Sequence, residues 1–274
     1  MQRRLLLTLP LMSCLPARAA PSTALPSVQV VPQPLAMPGL DRSRTLRLCL
    51  PPSYDSEPQR RYPVIYMHDG QNLFDAATSF AGEWGVDETM ETLARETGFE
   101  ALVVGIDNGG EKRNTEMAPY DHKELGKAEG PAYLDFIVNT VKPFIDNGWR
   151  TRPRSEHTAL IGSSLGGLIS HAALLSHGEV FSRYGLFSPS YWAAPQLFDA
   201  TAAARLPADT HVHLYCGGKE GRGMVEPAQR MRTVLARQLP PERLTLNIVA
   251  EAGHNEAAWA AELPGALKKL FGLG

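Results

Sequence analysis

The run Thr158-Ala159-Leu160-Ile161-Gly162-Ser163-Ser164-Leu165-Gly166-Gly167 carries the pattern G-x-S-x-G with Ser164 at its centre. A serine hydroxyl becomes an effective nucleophile when it is held in the open beside a base that takes its proton. A strained turn from a strand into a helix provides the exposure, and it demands small residues two before and two after the nucleophile. Gly162 and Gly166 stand at those positions, an apolar strand-like run precedes them, and helical periodicity follows from Leu165 to Ser176. The same turn aims the Leu165 backbone N–H, at the positive end of the helix, toward a developing oxyanion. Ser163 competes by adjacency, but the glycine spacing favours Ser164. A Gly/Ser loop packed closely on a neighbouring helix would carry the same letters without the chemistry.

The base must be a histidine, and chains built round such an elbow place their triad in the order Ser, acid, His. His171, His177, His211, His213 and His254 follow Ser164. His171 and His177 lie on or just after the elbow helix and point away from the turn. His211 and His213 sit two apart before the end of a strand and read as structural or exposed, since a metal pair there would have no third ligand in view. His254 follows the last strand directly, and strand C-terminal ends are where open α/β sheets build their sites. The acid should follow the preceding strand, which ends Tyr215-Cys216-Gly217-Gly218-Lys219-Glu220. Glu220 is the best-placed carboxylate for holding the histidine tautomer; its alternative is a solvated loop charge beside Lys219. A second oxyanion donor is expected from His68-Asp69-Gly70-Gln71-Asn72, with the Gln71 N–H preferred and Gly70 as the alternative. His68 is expected to pack or orient that loop. No metal and no organic cofactor is required.

Elements must position these groups. Short continuous apolar runs at Thr45–Leu50, Tyr62–Met67, Ala101–Ile106, Thr158–Ile161, Tyr184–Phe187, His211–Cys216 and Leu244–Val249 read as strands covered on both faces. Helical patterns alternate with them at Trp84–Arg95, Tyr133–Ile145, Leu165–Ser176, Val225–Gln238 and Glu256–Leu270. The fold class is therefore α/β, a mostly parallel central sheet with helices on both faces. The long stretches from Gly70 to Gly85 and from Asn108 to Gly130 are expected to be functional loops.

The N-terminus has a charged start at Arg3 and Arg4, a short apolar run broken by Pro10, and Ala17-Arg18-Ala19-Ala20. That is the form of a cleaved export signal over residues 1–20, too short to span a bilayer. It predicts a periplasmic or secreted protein, with a lipoprotein anchored at Cys14 as the less favoured reading. A proline-rich leader follows over residues 21–41, and a single domain over residues 42–274. Cys49 and Cys216 lie in apolar runs and read as free core residues rather than a disulfide. A net charge of −2 leaves no basic surplus for a phosphate backbone, so nucleic-acid binding is not expected.

Met67-His68-Asp69-Gly70-Gln71-Asn72-Leu73-Phe74-Asp75, Trp84-Gly85-Val86-Asp87-Glu88, Val104-Gly105-Ile106-Asp107-Asn108-Gly109 and the elbow together resemble the putative-esterase (esterase D-like) family of α/β-hydrolases. Its relatives include feruloyl and acetylxylan esterases of carbohydrate esterase family one, enterochelin esterases and mycolyltransferases. The likeness spans about residues 42–270. It implies an α/β-hydrolase fold without a separate lid domain, a Ser164–Glu220–His254 triad and an oxyanion hole from the Leu165 and Gln71 amides. The family often has Asp where Glu220 stands. The resemblance also places Arg113, Glu116 and Tyr120 beside the site, as substrate contacts or as an ion pair bracing their loop. Trp84, Tyr191 and Trp192 would form an aromatic wall for a sugar or phenolic ring, or else pack as core and rim.

The expected reaction is hydrolysis of a small-molecule or carbohydrate ester, on an acylated sugar, phenolic or siderophore-type substrate. An acyltransferase using the same site, and a non-catalytic binding protein on the same scaffold, are the alternatives. Acceptor-product analysis separates the first, and labelling by a fluorophosphonate the second. The sequence is silent on oligomeric state.

Overall fold

The computed structural model describes residues 21–273. The expected export signal and Cys14 lie outside the described residues. The chain forms β1 (Val28–Val30), β2 (Leu35–Met37), β3 (Arg42–Arg44), β4 (Leu46–Cys49), β5 (Val64–His68), α1 (Val86–Thr97) and β6 (Leu102–Ile106). The middle of the chain forms α2 (Arg113–Glu116), α3 (Gly130–Phe136), α4 (Lys142–Gly148), β7 (Thr158–Ser163), α5 (Leu165–Ser176), β8 (Arg183–Phe187) and α6 (Gln196–Ala203). The last elements are β9 (His211–Gly217), α7 (Arg222–Leu235), β10 (Leu244–Val249) and α8 (Glu256–Phe271).

The main sheet runs β1-β4-β6-β5-β7-β8-β9-β10, while β2 and β3 form a separate antiparallel pair. From β6 to β10 every pairing is parallel, and β4 and β1 extend the edge antiparallel. Alternate strand residues face opposite layers. Tyr66, Val104, Leu160, Leu186 and Leu214 join a core with α3 to α7, while Ile65, Val103, Ile161, Phe187 and Tyr215 join a second core with α1 and α8. Burial on both faces is why these strands read as unbroken apolar runs. This is the α/β-hydrolase fold, and no lid domain interrupts the described residues.

Three differences from the sequence reading have physical causes. The segment read as a leader belongs to the fold: β1 pairs with β4, and Ser22 and Thr23 bond the side chains of Asp75 and Glu83. The expected single helix across Tyr133–Ile145 contains a π-helical turn at Ile137–Val141 joining α3 to α4. Pro143 explains it, since its ring would clash with the carbonyl four residues back and it has no N–H to offer. The helix α6 is eight residues long, too short for its periodicity to stand out. Cys49 and Cys216 are buried free thiols, each pushed up to about 12 by burial. No described helix is long and apolar enough to cross a membrane.

Candidate active site

The elbow is built at the C-terminal end of β7. Ser164 has φ 57 and ψ −119, a conformation L-residues avoid. Its own N–H donates to the Phe187 carbonyl (2.9 Å), which locks the turn to β8. A Cβ on Gly162 would lie 2.6 Å from the Gly166 backbone carbon, so only glycine permits this closure. The Leu165 backbone N–H, first of α5, donates to no described group.

Two strands away, β9 ends in Gly217 and turns into Glu220. The Glu220 side chain is buried, and Oε1 accepts from Ser188 Oγ (2.5 Å) and the Gly217 N–H (2.7 Å). Its Oε2 lies 2.7 Å from His254 Nδ1. Burial would raise the carboxyl, but the donors from His254, Ser188 and Gly217 outweigh it and hold Glu220 below its ordinary range. His254 follows β10, and Asn255 after it caps α8 by accepting from the Ala258 N–H at 3.0 Å. The imidazole stands edge-on to Trp259, with centroids 5.0 Å apart at 84°. The structure thus brings Glu220 and His254 into contact. Ser164 Oγ instead meets Ser190 Oγ at 3.2 Å, and among the described residues no hydrogen bond joins Ser164 to His254.

The end of β5 lies against the elbow, with the His68 ring 2.7 Å from the position a Gly162 Cβ would take. Burial lowers His68 to about 4, so it is neutral at pH 7. Ser170 Oγ donates its one proton to the Gly166 carbonyl (2.8 Å), so His68 Nε2 must be the donor to Ser170 (3.1 Å). His68 Nδ1 then accepts from Tyr133 OH at 2.8 Å. Gln71 is held by its side chain, whose Oε1 accepts from the Asn108 N–H (2.9 Å), and by its carbonyl, which accepts from Thr78 Oγ1 (2.8 Å). Its backbone N–H, like that of Leu165, donates to no described group.

A family model for putative esterases matches residues 38–270. The chain belongs to the putative esterase family. It is a carboxylic ester hydrolase. The uncharacterized protein YbbA of Bacillus subtilis is 27% identical over 245 residues, 84% of this chain and 93% of that one. A siderophore triacetylfusarinine C esterase of Aspergillus fumigatus is 28% identical over 138 residues, 47% of this chain and 44% of the relative. Among solved structures, the enterobactin esterase FES of Shigella flexneri superimposes with a TM-score of 0.72 at 18% identity, covering 92% of this chain and 61% of its own.

Five of the six residues expected near the substrate have different placements in the esterase. Trp84 is only 4% exposed and packs on Phe187 and Trp259, so it is core and offers no face to a substrate. Arg113 forks onto Asp69 through Nε (2.6 Å) and Nη2 (2.8 Å), which makes it a brace of the Gln71 loop. Glu116 is buried against Arg42 and Arg44 rather than against Arg113. Tyr120 lines a cavity of about 630 Å³ with Leu134, Ile169 and Leu197, a cavity that none of Ser164, Glu220 and His254 touches. Trp192, in contrast, is 47% exposed two residues beyond Ser190 and stands edge-on to His122 (5.5 Å, 78°). Tyr191 is core, its hydroxyl 2.8 Å from His171 Nδ1.

Ser188, Ser190 and Trp259 were not singled out from the sequence. The two serines had a signal, since polar residues right after an apolar parallel strand sit at the sheet end where sites form. Trp259 had none, because an aromatic on the apolar stripe of a helix reads as core. For cations, Glu83, Asp87 and Glu88 are the described group whose carboxylates lie within 4.8 Å of one another. They cluster at the start of α1, where burial and the Glu88 neighbour push Asp87 up to about 7 against the Leu25 N–H bond. None of the three contacts Ser164, Glu220 or His254.

Proposed function

We propose that the esterase works by two-step acyl transfer with Ser164 as nucleophile, His254 as base and Glu220 as the acid that orients it. The observation that carries this reading is the 2.7 Å contact between buried Glu220 and His254 Nδ1. It leaves Nε2 as the free acceptor nitrogen, on the same sheet end as a strained, outward-turned serine. Ser164 Oγ leaves Ser190 for His254 Nε2 when an ester arrives, as catalytic hydrogen bonds commonly tighten only with substrate bound. His254 takes the Ser164 proton while Oγ attacks the carbonyl, and the Leu165 and Gln71 N–H groups hold the oxyanion. Collapse expels the alcohol, which takes the proton from His254. Water then attacks the acyl-enzyme, giving a proton to His254, and Ser164 regains it as the acid leaves.

For substrate class, the reading is an ester with an aromatic or catecholic acyl part, such as a phenolic or siderophore ester. Trp192 offers an open ring two residues beyond Ser190, whose hydroxyl meets that of Ser164, and the names of the Aspergillus and Shigella relatives specify a siderophore ester and enterobactin. A Xylanibacter ruminicola xylanase/feruloyl esterase, 22% identical over 59% of this chain, adds a phenolic one. The chain spans 20% of that relative's length. Ser164→Ala should abolish p-nitrophenyl acetate turnover and fluorophosphonate labelling while leaving the unfolding curve unchanged. Retained turnover would refute the nucleophile. A comparison of acetyl, feruloyl and catecholate esters by kcat/KM tests the substrate class, and a preference for acetyl would refute it.

A further inference from the structure

Glu220 Oε1 does not face solvent or the catalytic histidine but a second polar pair, Ser188 and Trp259. Trp259 Nε1 lies 3.0 Å from Ser188 Oγ, and Ser188 Oγ lies 2.5 Å from Glu220 Oε1. An indole N–H can only donate, so the Ser188 oxygen must accept from it. The single Ser188 proton is then directed to the carboxylate. With Ser188 and the Gly217 N–H both on Oε1, His254 Nδ1 bonds the other oxygen, at 2.7 Å.

The backbone supports this order. Ser188 is fully buried with φ 44, a left-handed conformation that is unfavourable for a non-glycine residue. Its N–H donates to the Tyr215 carbonyl (2.7 Å), tying the end of β8 to β9 just before the Glu220 turn. Trp259 itself touches both members of the acid–base pair: Glu220 through Ser188, and His254 through its ring face.

We propose that Ser188 and Trp259 are positioning residues of the esterase site: the indole N–H fixes the Ser188 hydroxyl as a donor to Glu220, and that bond presents the second carboxylate oxygen to His254. The inference rests on the triad reading above and adds to it two residues that touch neither substrate nor nucleophile. The Gly217 N–H shares Oε1 but belongs to the backbone, so Ser188 is the side-chain donor on that oxygen. Cys216 and Tyr215, titratable neighbours of Glu220 on β9, are both pushed up to about 12 and stay neutral. Lys219 turns to Glu251 at 2.7 Å, and the Glu256 carboxyl, on α8, bonds Asn72.

Two variants test this in the full chain. Ser188→Ala removes the donor, and Trp259→Phe removes only the N–H while keeping a ring against His254. With p-nitrophenyl acetate, kcat should fall about tenfold in S188A and about threefold in W259F, with KM within about twofold of the parent. Without the Ser188 donor the Glu220 carboxylate becomes more basic and a stronger partner for a protonated base, so the acid limb of kcat/KM should move to higher pH. The shift should be larger in S188A. A merely packing role lowers the melting temperature of both variants and leaves kcat and the acid limb unmoved, which would overturn the proposal. Fluorophosphonate labelling of the parent separates the two levels: a parent that does not label refutes the triad and this inference with it. A parent that labels, beside variants with parental pH profiles, refutes the positioning role alone.

Discussion

Arg113 grips Asp69 through two parallel hydrogen bonds, and Asp69 is the left-handed residue (φ 58) immediately before Gly70 and Gln71. The direction of the Gln71 N–H is therefore set from a distance, by an ion pair two loops long. Arg113→Met leaves the buried Asp69 carboxylate with Asn108 alone and should cost about 3 kcal/mol by urea unfolding, with a fall in kcat. Arg113→Lys keeps the charge but not the fork and should fall between the two. Parental stability in R113M would contradict this account. Burial raises Asp69, but Arg113 more than offsets it and holds the carboxyl below its ordinary range. The pair's contribution is thus complete above about pH 4 and is lost as the pH falls through the lowered folded value.

Buried neutral histidines give the esterase a second acid sensitivity. His68 is lowered to about 4 and His171 to about 3, chiefly by burial, from an ordinary value of 6.5. The unfolded chain takes up protons as the pH drops below 6.5, while the folded chain resists, so stability falls with falling pH. For His171 alone the loss between neutral pH and pH 4 should be about 3 kcal/mol. His171→Gln can bond both Tyr191 OH and Thr201 Oγ1 without a titrating proton. Unfolding free energies measured from pH 7 to 4 should slope less in H171Q; an unchanged slope would exclude His171 as a source.

Trp84 and Trp192, both candidates for an aromatic wall by sequence, should behave as opposites. Trp84→Ala empties a core position and should cost about 3–5 kcal/mol of stability. Trp192→Ala should leave the unfolding curve near the parent's and raise KM for esters with an aromatic acyl part about tenfold, with little change for p-nitrophenyl acetate, whose acyl part is acetyl. If KM is the same for both substrates, Trp192 is not part of the substrate wall.

Gly162 should not tolerate even alanine. The added Cβ would sit 2.6 Å from the backbone of Gly166 and 2.7 Å from His68. Relief requires opening the elbow, so G162A should lose at least about 2 kcal/mol and most esterolytic activity together. Full activity in a folded G162A would show that the turn is not held this tightly.

Much of this architecture could be read from the letters because it rests on short-range rules. Gly162 and Gly166 mark an elbow through sterics within five residues, and the apolar runs mark strands through two-sided burial. Glu220 and His254 could be located because each follows a strand at the site end of the sheet. Other features depended on contacts across the sequence. Nothing local says that Arg113 reaches Asp69 rather than a substrate, or that Trp84 turns inward. Ser22 and Thr23 looked like part of a proline-rich lead-in because their partners, Asp75 and Glu83, lie more than fifty residues away. Trp259 was hidden by its own apolarity, since a helix stripe gives no sign that one indole N–H has a polar task.

The strand Val28–Val30 also acts as a guard. Without it, β4 would end the sheet with a row of open amide and carbonyl groups flanked by Leu46 and Leu48, an edge that other chains can extend. A shortened protein beginning near Arg42 would keep every group of the proposed triad and still expose a sticky border. Where such a protein precipitates, the fault would lie at that margin, far along the sheet from the chemistry.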